Sequence, residues 1–187
     1  MNESNDYSAP ISINYIGKGI RELQSRAYEG CPYIYSLTLS EDLEKIGDYA
    51  FANCNELRSL EIPSTVKSIG VGAFRNCQKL RRIIVHPGAL KVLPESAFES
   101  CSSLRRVVLP RTLKKISTLA FSECKNLRRV ILSEGLEEIE HSAFRLSCSM
   151  RSLEIPSTVE ILGLERIEHS PDPDHYFDII VRYPYNI

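Results

Sequence analysis

The chain has 187 residues, 43% of them apolar and 25% charged, with a formal net charge of −1. That length and apolar share suffice for one domain with a sizeable core and exclude a chain that is disordered throughout. The near-zero charge excludes a global bias toward nucleic acid or an anionic membrane, so any such signal must be local.

The N-terminal stretch MNESNDYSAPISINY is read as a loose polar tail over residues 1–9, without the basic start and apolar run of a secretory signal. No apolar run approaches the roughly 20 residues that cross a bilayer. IGKGIRELQSR reads as a degenerate capping half-repeat, because Ile20 and Leu23 stand before Ala27 at the spacing every later unit keeps.

From Ala27 the chain repeats. Alanine plus an aromatic recurs at Ala27-Tyr28, Ala50-Phe51, Ala73-Phe74, Ala97-Phe98, Ala120-Phe121 and Ala143-Phe144, in steps of 23, 23, 24, 23 and 23. A fixed period of this size indicates a solenoid. Apolar residues follow each alanine by seven, ten and twelve positions, as Leu57, Leu60 and Ile62 follow Ala50. This pattern predicts a short strand whose alternate residues point inward. A turn follows, often with Pro63, Pro110 or Pro156, and then an apolar pair three apart, such as Val66 and Ile69, which predicts a second short strand. Ala-Phe-x-x-Cys is too short for an isolated helix and predicts one helical turn on the return leg. The step of 24 comes from one extra residue in HPGALKVLPES, residues 86–96, placed in a turn, where insertions cost least.

The unit LRSLEIPSTVKSIGVGAFRNC resembles the BspA-like class of leucine-rich repeats, whose consensus reads L-x-x-L-x-I-P-x-x-[VL]-x-x-I-G-x-x-A-F-x-x-C, and the resemblance runs over residues 11–165. The expected fold is an α/β repeat, a right-handed leucine-rich-repeat solenoid of short parallel strands with one-turn helical or irregular return legs. Residues 1–187 form one domain on this reading: tail and half-repeat at 1–26, six repeats at 27–165, and a C-terminal cap at 166–187. Within the cap, HYFDIIVRYPYNI is expected as a terminal strand or tail over the open end of the core.

Cysteines stand four residues after the alanine at Cys31, Cys54, Cys77, Cys101 and Cys124, while Cys148 falls one position late with Ser147 in the expected place. The simplest reading is a column of small buried residues. Parallel side-chain directions hold stacked Cβ atoms too far apart for disulfides. Cys148, out of register, is the one expected to be exposed. No C-x-x-C or zinc-type spacing occurs. His86, His141, His169 and His175 occupy unlike repeat positions or the tail, so no catalytic constellation assembles, and neither a metal nor a cofactor is predicted. EHSPDPDHYFD, with His169, Asp172, Asp174 and His175, reads as a solvated loop in preference to a metal site.

Function is sought between the inward residues. Nine positions after the alanine the residues are Ser36, Ser59, Arg82, Arg106, Arg129 and Ser152; eleven after, Thr38, Glu61, Ile84, Val108, Ile131 and Glu154. Both rows change together in the middle three units. One position before the first row stand Tyr35, Arg58, Arg81, Arg105, Arg128 and Arg151, so eight of fifteen arginines fill two adjacent columns. Such a ladder of like charges is mildly costly unless balanced by nearby acids or by a partner. Arg81, Arg82, Ile84, Arg105, Arg106, Val108, Arg128, Arg129 and Ile131 are therefore the candidate binding residues. The alternative is a neutral surface, in which arginine stems cover apolar area.

The expected function is a non-enzymatic protein-interaction module, monomeric, binding a protein with an acidic or mixed surface or an anionic glycan. Nucleic acid is not expected, since no aromatic residues interleave with the arginines. The resemblance implies adhesion, because BspA-like proteins are often displayed on bacterial or protist surfaces and bind host matrix or other proteins. An intracellular scaffold using the same face is the alternative, and the compartment is left open.

Overall fold

An apolar face on a two- to four-residue strand cannot be buried within its own 23-residue coil, so it must be covered by the coils on either side. A computed structural model, which describes residues 15–163 and 178–181, shows this arrangement. The tail at 1–9, the loop at 168–177 and the rest of the cap apart from 178–181 lie outside the described residues.

The strands in chain order are β1 (Tyr15–Ile16), β2 (Glu22–Leu23), β3 (Ser36–Leu39), β4 (Lys45–Ile46), β5 (Ser59–Ile62), β6 (Ser68–Ile69), β7 (Arg82–Val85), β8 (Val92–Leu93), β9 (Arg106–Val108), β10 (Lys115–Ile116), β11 (Arg129–Ile131), β12 (Glu138–Ile139), β13 (Ser152–Ile155), β14 (Ile161–Leu162) and β15 (Asp178–Val181). Odd-numbered strands carry the first apolar pattern of each repeat, and β1, β3, β5, β7, β9 and β11 pair side by side into one parallel sheet. The last repeat departs from this order, since β13 pairs with β15 in a separate parallel two-stranded sheet. Even-numbered strands form the second face as β2-β4-β6 and β8-β10-β12-β14. The break between β6 and β8 falls in the coil that holds the extra residue. There a Cβ on Gly88 would lie 2.0 Å from the Ser64 carbonyl oxygen, so only glycine allows the inserted turn to settle on the coil before it.

Every residue at the three inward strand positions from Ile34 to Ile155 is buried except Leu132, which is half-buried. The apolar pairs of the second strands are buried as well from Leu43 and Ile46 to Leu136 and Ile139, whereas in the first unit Leu23 is buried and Ile20 exposed, and in the last described coil Val159 is half-buried and Leu162 exposed. The N-terminal unit is fuller than its sequence indicated. Tyr15 and Ile16 pair with Thr38 and Leu39, and Leu23 with Ile46, so both strands of that unit are present.

The return legs are not helical, and no helix occurs among the described residues. The expected helical turn is replaced by a chain of tight turns. Residues just before each alanine and three after it take the left-handed conformation, as at Tyr49 and Asn53 (φ 54° and 60°), Gly72 and Asn76 (59° and 59°), or Leu119 and Glu123 (57° and 58°). Left-handed residues at this spacing are incompatible with a right-handed helix. They direct alternate N–H groups two ways. The alanine N–H closes a turn within its own coil, as from Ala50 to the Gly47 carbonyl (3.3 Å). The aromatic N–H instead donates to the alanine carbonyl of the next coil, as from Phe51 to Ala73 (2.8 Å) and Phe98 to Ala120 (2.9 Å). Tyr28, Phe51, Phe74, Phe98, Phe121 and Phe144 consequently stack, with successive ring centroids 5.3 to 5.6 Å apart and planes within 9°.

Candidate interaction surface

The pleat sends alternate residues of β7, β9 and β11 outward. Pairing register places Arg82 beside Arg106 and Arg106 beside Arg129, with Ile84 beside Val108 and Val108 beside Ile131. Two rows predicted from spacing alone thus lie in contact order on one face. Arg81, Arg105 and Arg128 form a third row at the strand entrances, and all six arginines are exposed. Val108 is 43% exposed, while Ile84 and Ile131 are half-buried. Glu61 borders the aliphatic row at Ile84. A depression of about 610 Å³ lies over β7 and β9 between Arg81, Arg82, Arg106, Ile84 and Val108. A smaller one, about 250 Å³, opens where β11 and β13 do not pair, between Arg129, Ile131, Glu134 and Pro156.

Where the acids go decides whether the arginines are already neutralised. Among the described residues none of the six forms an ion pair. Carboxylates instead face cations of neighbouring coils elsewhere: Glu22 with Lys45, Glu44 with Lys67 and Arg21, Glu137 with Lys114, and Glu138 and Glu140 with Lys115, all along the second strands. Glu99 with Arg75 and Glu56 with Lys79 serve the return legs and strand entrances. Lys67 holds the Glu44 carboxyl below its ordinary value, and Lys115, followed by Thr118, does the same for Glu140. Spacing places the arginine rows; it does not reveal that Glu22, Glu44, Glu56, Glu99, Glu137, Glu138 and Glu140 are paired with other cations.

The cysteines serve packing and hydrogen bonding. All six are free; Cys54, Cys77, Cys101 and Cys124 are buried, while Cys31 and the out-of-register Cys148 are half-buried. Each buried thiol donates to the aromatic carbonyl of the coil before it: Cys54 to Tyr28 (3.1 Å), Cys77 to Phe51 (3.2 Å), Cys101 to Phe74 (3.3 Å) and Cys124 to Phe98 (3.2 Å). Burial pushes the Cys54 thiol up to about 12 and raises Cys124 further. Cys77 is raised first by the neighbouring Cys101 thiol and then by burial. These are unreactive thiols. Among the described residues no group of three or more His, Cys, Asp or Glu side chains could hold a metal ion. The loop with His169, Asp172, Asp174 and His175 lies outside the described residues. No described helix is long and apolar enough to cross a membrane.

Comparison with known proteins agrees with this architecture. A leucine-rich repeat protein from Eubacterium ventriosum superposes with a TM-score of 0.76 at 22% identity, over 92% of this chain and 44% of that one. One from Bacteroides ovatus gives 0.71 at 25% identity, over 91% and 45%. The T. pallidum leucine-rich repeat protein gives 0.67 at 30% identity, over 78% and 64%. The chain spans less than half the length of the first two. No curated protein matches it. The BspA type leucine-rich repeat region matches residues 44–170 in six copies. With these matched copies, the paired coils and the stacked Ala-Phe-x-x-Cys turns, the chain belongs to the BspA-type leucine-rich repeat family.

Proposed function

We propose that the chain is a non-enzymatic protein-interaction module whose β7-β9-β11 face recognises an anionic partner, in the adhesive or surface-recognition setting that its family implies. One observation carries the reading. Six arginines over three adjacent coils face outward without a carboxylate partner among the described residues, beside a row of exposed and half-buried aliphatic side chains. Such a face combines charge-assisted hydrogen bonding with apolar burial, the mixture enriched at protein interfaces. The non-enzymatic part is supported by the buried, proton-retaining thiols at the cysteine column.

Binding of immobilised extracellular-matrix and cytosolic protein fractions is the test, with wild type compared to the Arg82→Ser, Arg106→Ser, Arg129→Ser triple variant over a salt series. Serine is the residue that the outer coils carry at this position. Three exposed charges together are expected to be worth about tenfold in affinity, less at high salt. Unchanged affinity and salt dependence in the variant would remove the face from consideration. Binding confined to the cytosolic fraction would remove the adhesive setting.

A further inference from the structure

The outward lattice of this face has dimensions that select the shape of what sits on it. Neighbouring coils place like residues about 4.8 Å apart, so each row of three spans roughly 10 Å along the stack. The arginine and aliphatic rows are two residues apart on each strand, roughly 6.6 Å. A ligand that uses both rows must therefore carry two parallel stripes, one acidic and one apolar, each repeating near 5 Å.

An α-helix does this. Side chains at i, i+4 and i+7 lie on one stripe and span about 10.5 Å, with steps near 5 to 6 Å. An extended strand laid along the stack does not, since residues i, i+2 and i+4 on its one face span about 13 Å and leave register by the third coil. An anionic glycan matches the charge but leaves Ile84, Val108 and Ile131 unused. The aliphatic row also has a defined end: β7 gives way to β5, where Glu61 stands in register with Ile84.

Resting on the interaction face proposed above, we propose that the element docked on β7, β9 and β11 is a partner's amphipathic α-helix lying along the stack. Its acidic stripe meets Arg82, Arg106 and Arg129, and an adjoining apolar stripe covers Ile84, Val108 and Ile131. A basic residue follows the apolar stripe at the Glu61 end. Charge complementarity and the row spacing together commit the face to this occupant.

The probe is a helical peptide of about 15 residues, cross-linked on its far face. It carries glutamates on one stripe, leucines on the next and a lysine at the end that meets Glu61. Controls are a scrambled peptide with the same composition and cross-link, and a sulfated polysaccharide. Each is titrated against wild type, the triple arginine-to-serine variant and Val108→Ser. All these substitutions are at exposed positions, and circular dichroism checks that the fold is kept. The inference expects the striped peptide to bind about tenfold tighter than the scrambled one, and to lose about tenfold in both variants. Equal binding of both peptides overturns the helix, as does absence of peptide binding or polysaccharide binding that ignores Val108. If the arginine variant still weakens a probe in those cases, the arginine face stands without the helix. If no probe responds to the arginine variant, the face itself is rejected.

Discussion

The hydroxyl of Ser147 donates to the carbonyl oxygen of Phe121 at 2.9 Å, taking over in its coil the bond that thiols make in the four coils before it. The same Phe121 oxygen accepts the Cys124 N–H at 3.4 Å. Both lone pairs of a buried carbonyl are thereby used, one within the coil and one between coils. The column selects a small buried donor, and cysteine meets the need as serine does.

Replacing Cys101 by serine is accordingly expected to change stability by less than about 1 kcal/mol, whereas Cys101→Val, which removes the donor, should cost about 1 to 3 kcal/mol. Urea unfolding of both variants measures this. Equal losses would mean that the column is filled for volume alone.

The raised thiols also link stability to alkaline pH. Cys54 titrates near 12 in the fold against an ordinary 9.0, and Cys77 is likewise raised. Unfolded thiols ionise first as pH rises, so the unfolded state binds fewer protons and is favoured. Stability is therefore complete below about pH 8.5 and falls as pH climbs toward 12. Urea midpoints between pH 7 and pH 10.5 should decline more steeply for wild type than for Cys54→Ser. Parallel curves would refute the linkage.

Mid-stack aromatics should matter most. Phe98 is sandwiched between Phe74 and Phe121, while Tyr28 has a described ring neighbour, Phe51, on one side. Phe98→Ala is expected to cost about 3 to 5 kcal/mol and Tyr28→Ala clearly less. Thermal or urea unfolding that ranks them in reverse would contradict a core continuous along the stack.

Left-handed positions offer a stabilising change. Glu123 holds φ 58° at the place where earlier coils use Asn53 and Asn76. Asparagine tolerates that conformation better, so Glu123→Asn should raise stability by roughly 0.5 to 1 kcal/mol. Gly72→Ala should do the opposite, because its Cβ would stand 2.5 Å from the Tyr49 ring. Melting temperatures of the two variants decide it.

Period 23 was enough to place every inward side chain from Ile34 to Ile155 and to align the two outward rows. It misled at Ala-Phe-x-x-Cys, where residue types such as Leu119, Glu123 and Leu146 give no sign of positive φ. There the neighbouring coil supplies the carbonyls, and tertiary hydrogen bonding overrides local preference. The N-terminal unit was under-read for a related reason: Tyr15 and Ile16 lack the motif, yet they stand 23 residues before Thr38 and Leu39 and take up their pairing. That Glu44, Glu99 and Glu140 pair with Lys67, Arg75 and Lys115 of neighbouring coils, away from the six arginines, is a matter of side-chain geometry that a spacing argument does not reach.

On the return legs each coil from Ala50 to Ala120 receives on one side the bonds that it gives on the other, as from the Phe51 N–H to the Ala73 carbonyl and from the Cys77 thiol back to the Phe51 carbonyl. Modules joined this way are interchangeable in order. Duplication, deletion or shuffling of 23-residue cassettes leaves the joints intact while rewriting which outward residues become neighbours. Arg-Arg-x-Ile/Val in three successive coils is then a pattern that recombination can lengthen or shorten by whole steps, changing the footprint offered to a partner without redesigning the core.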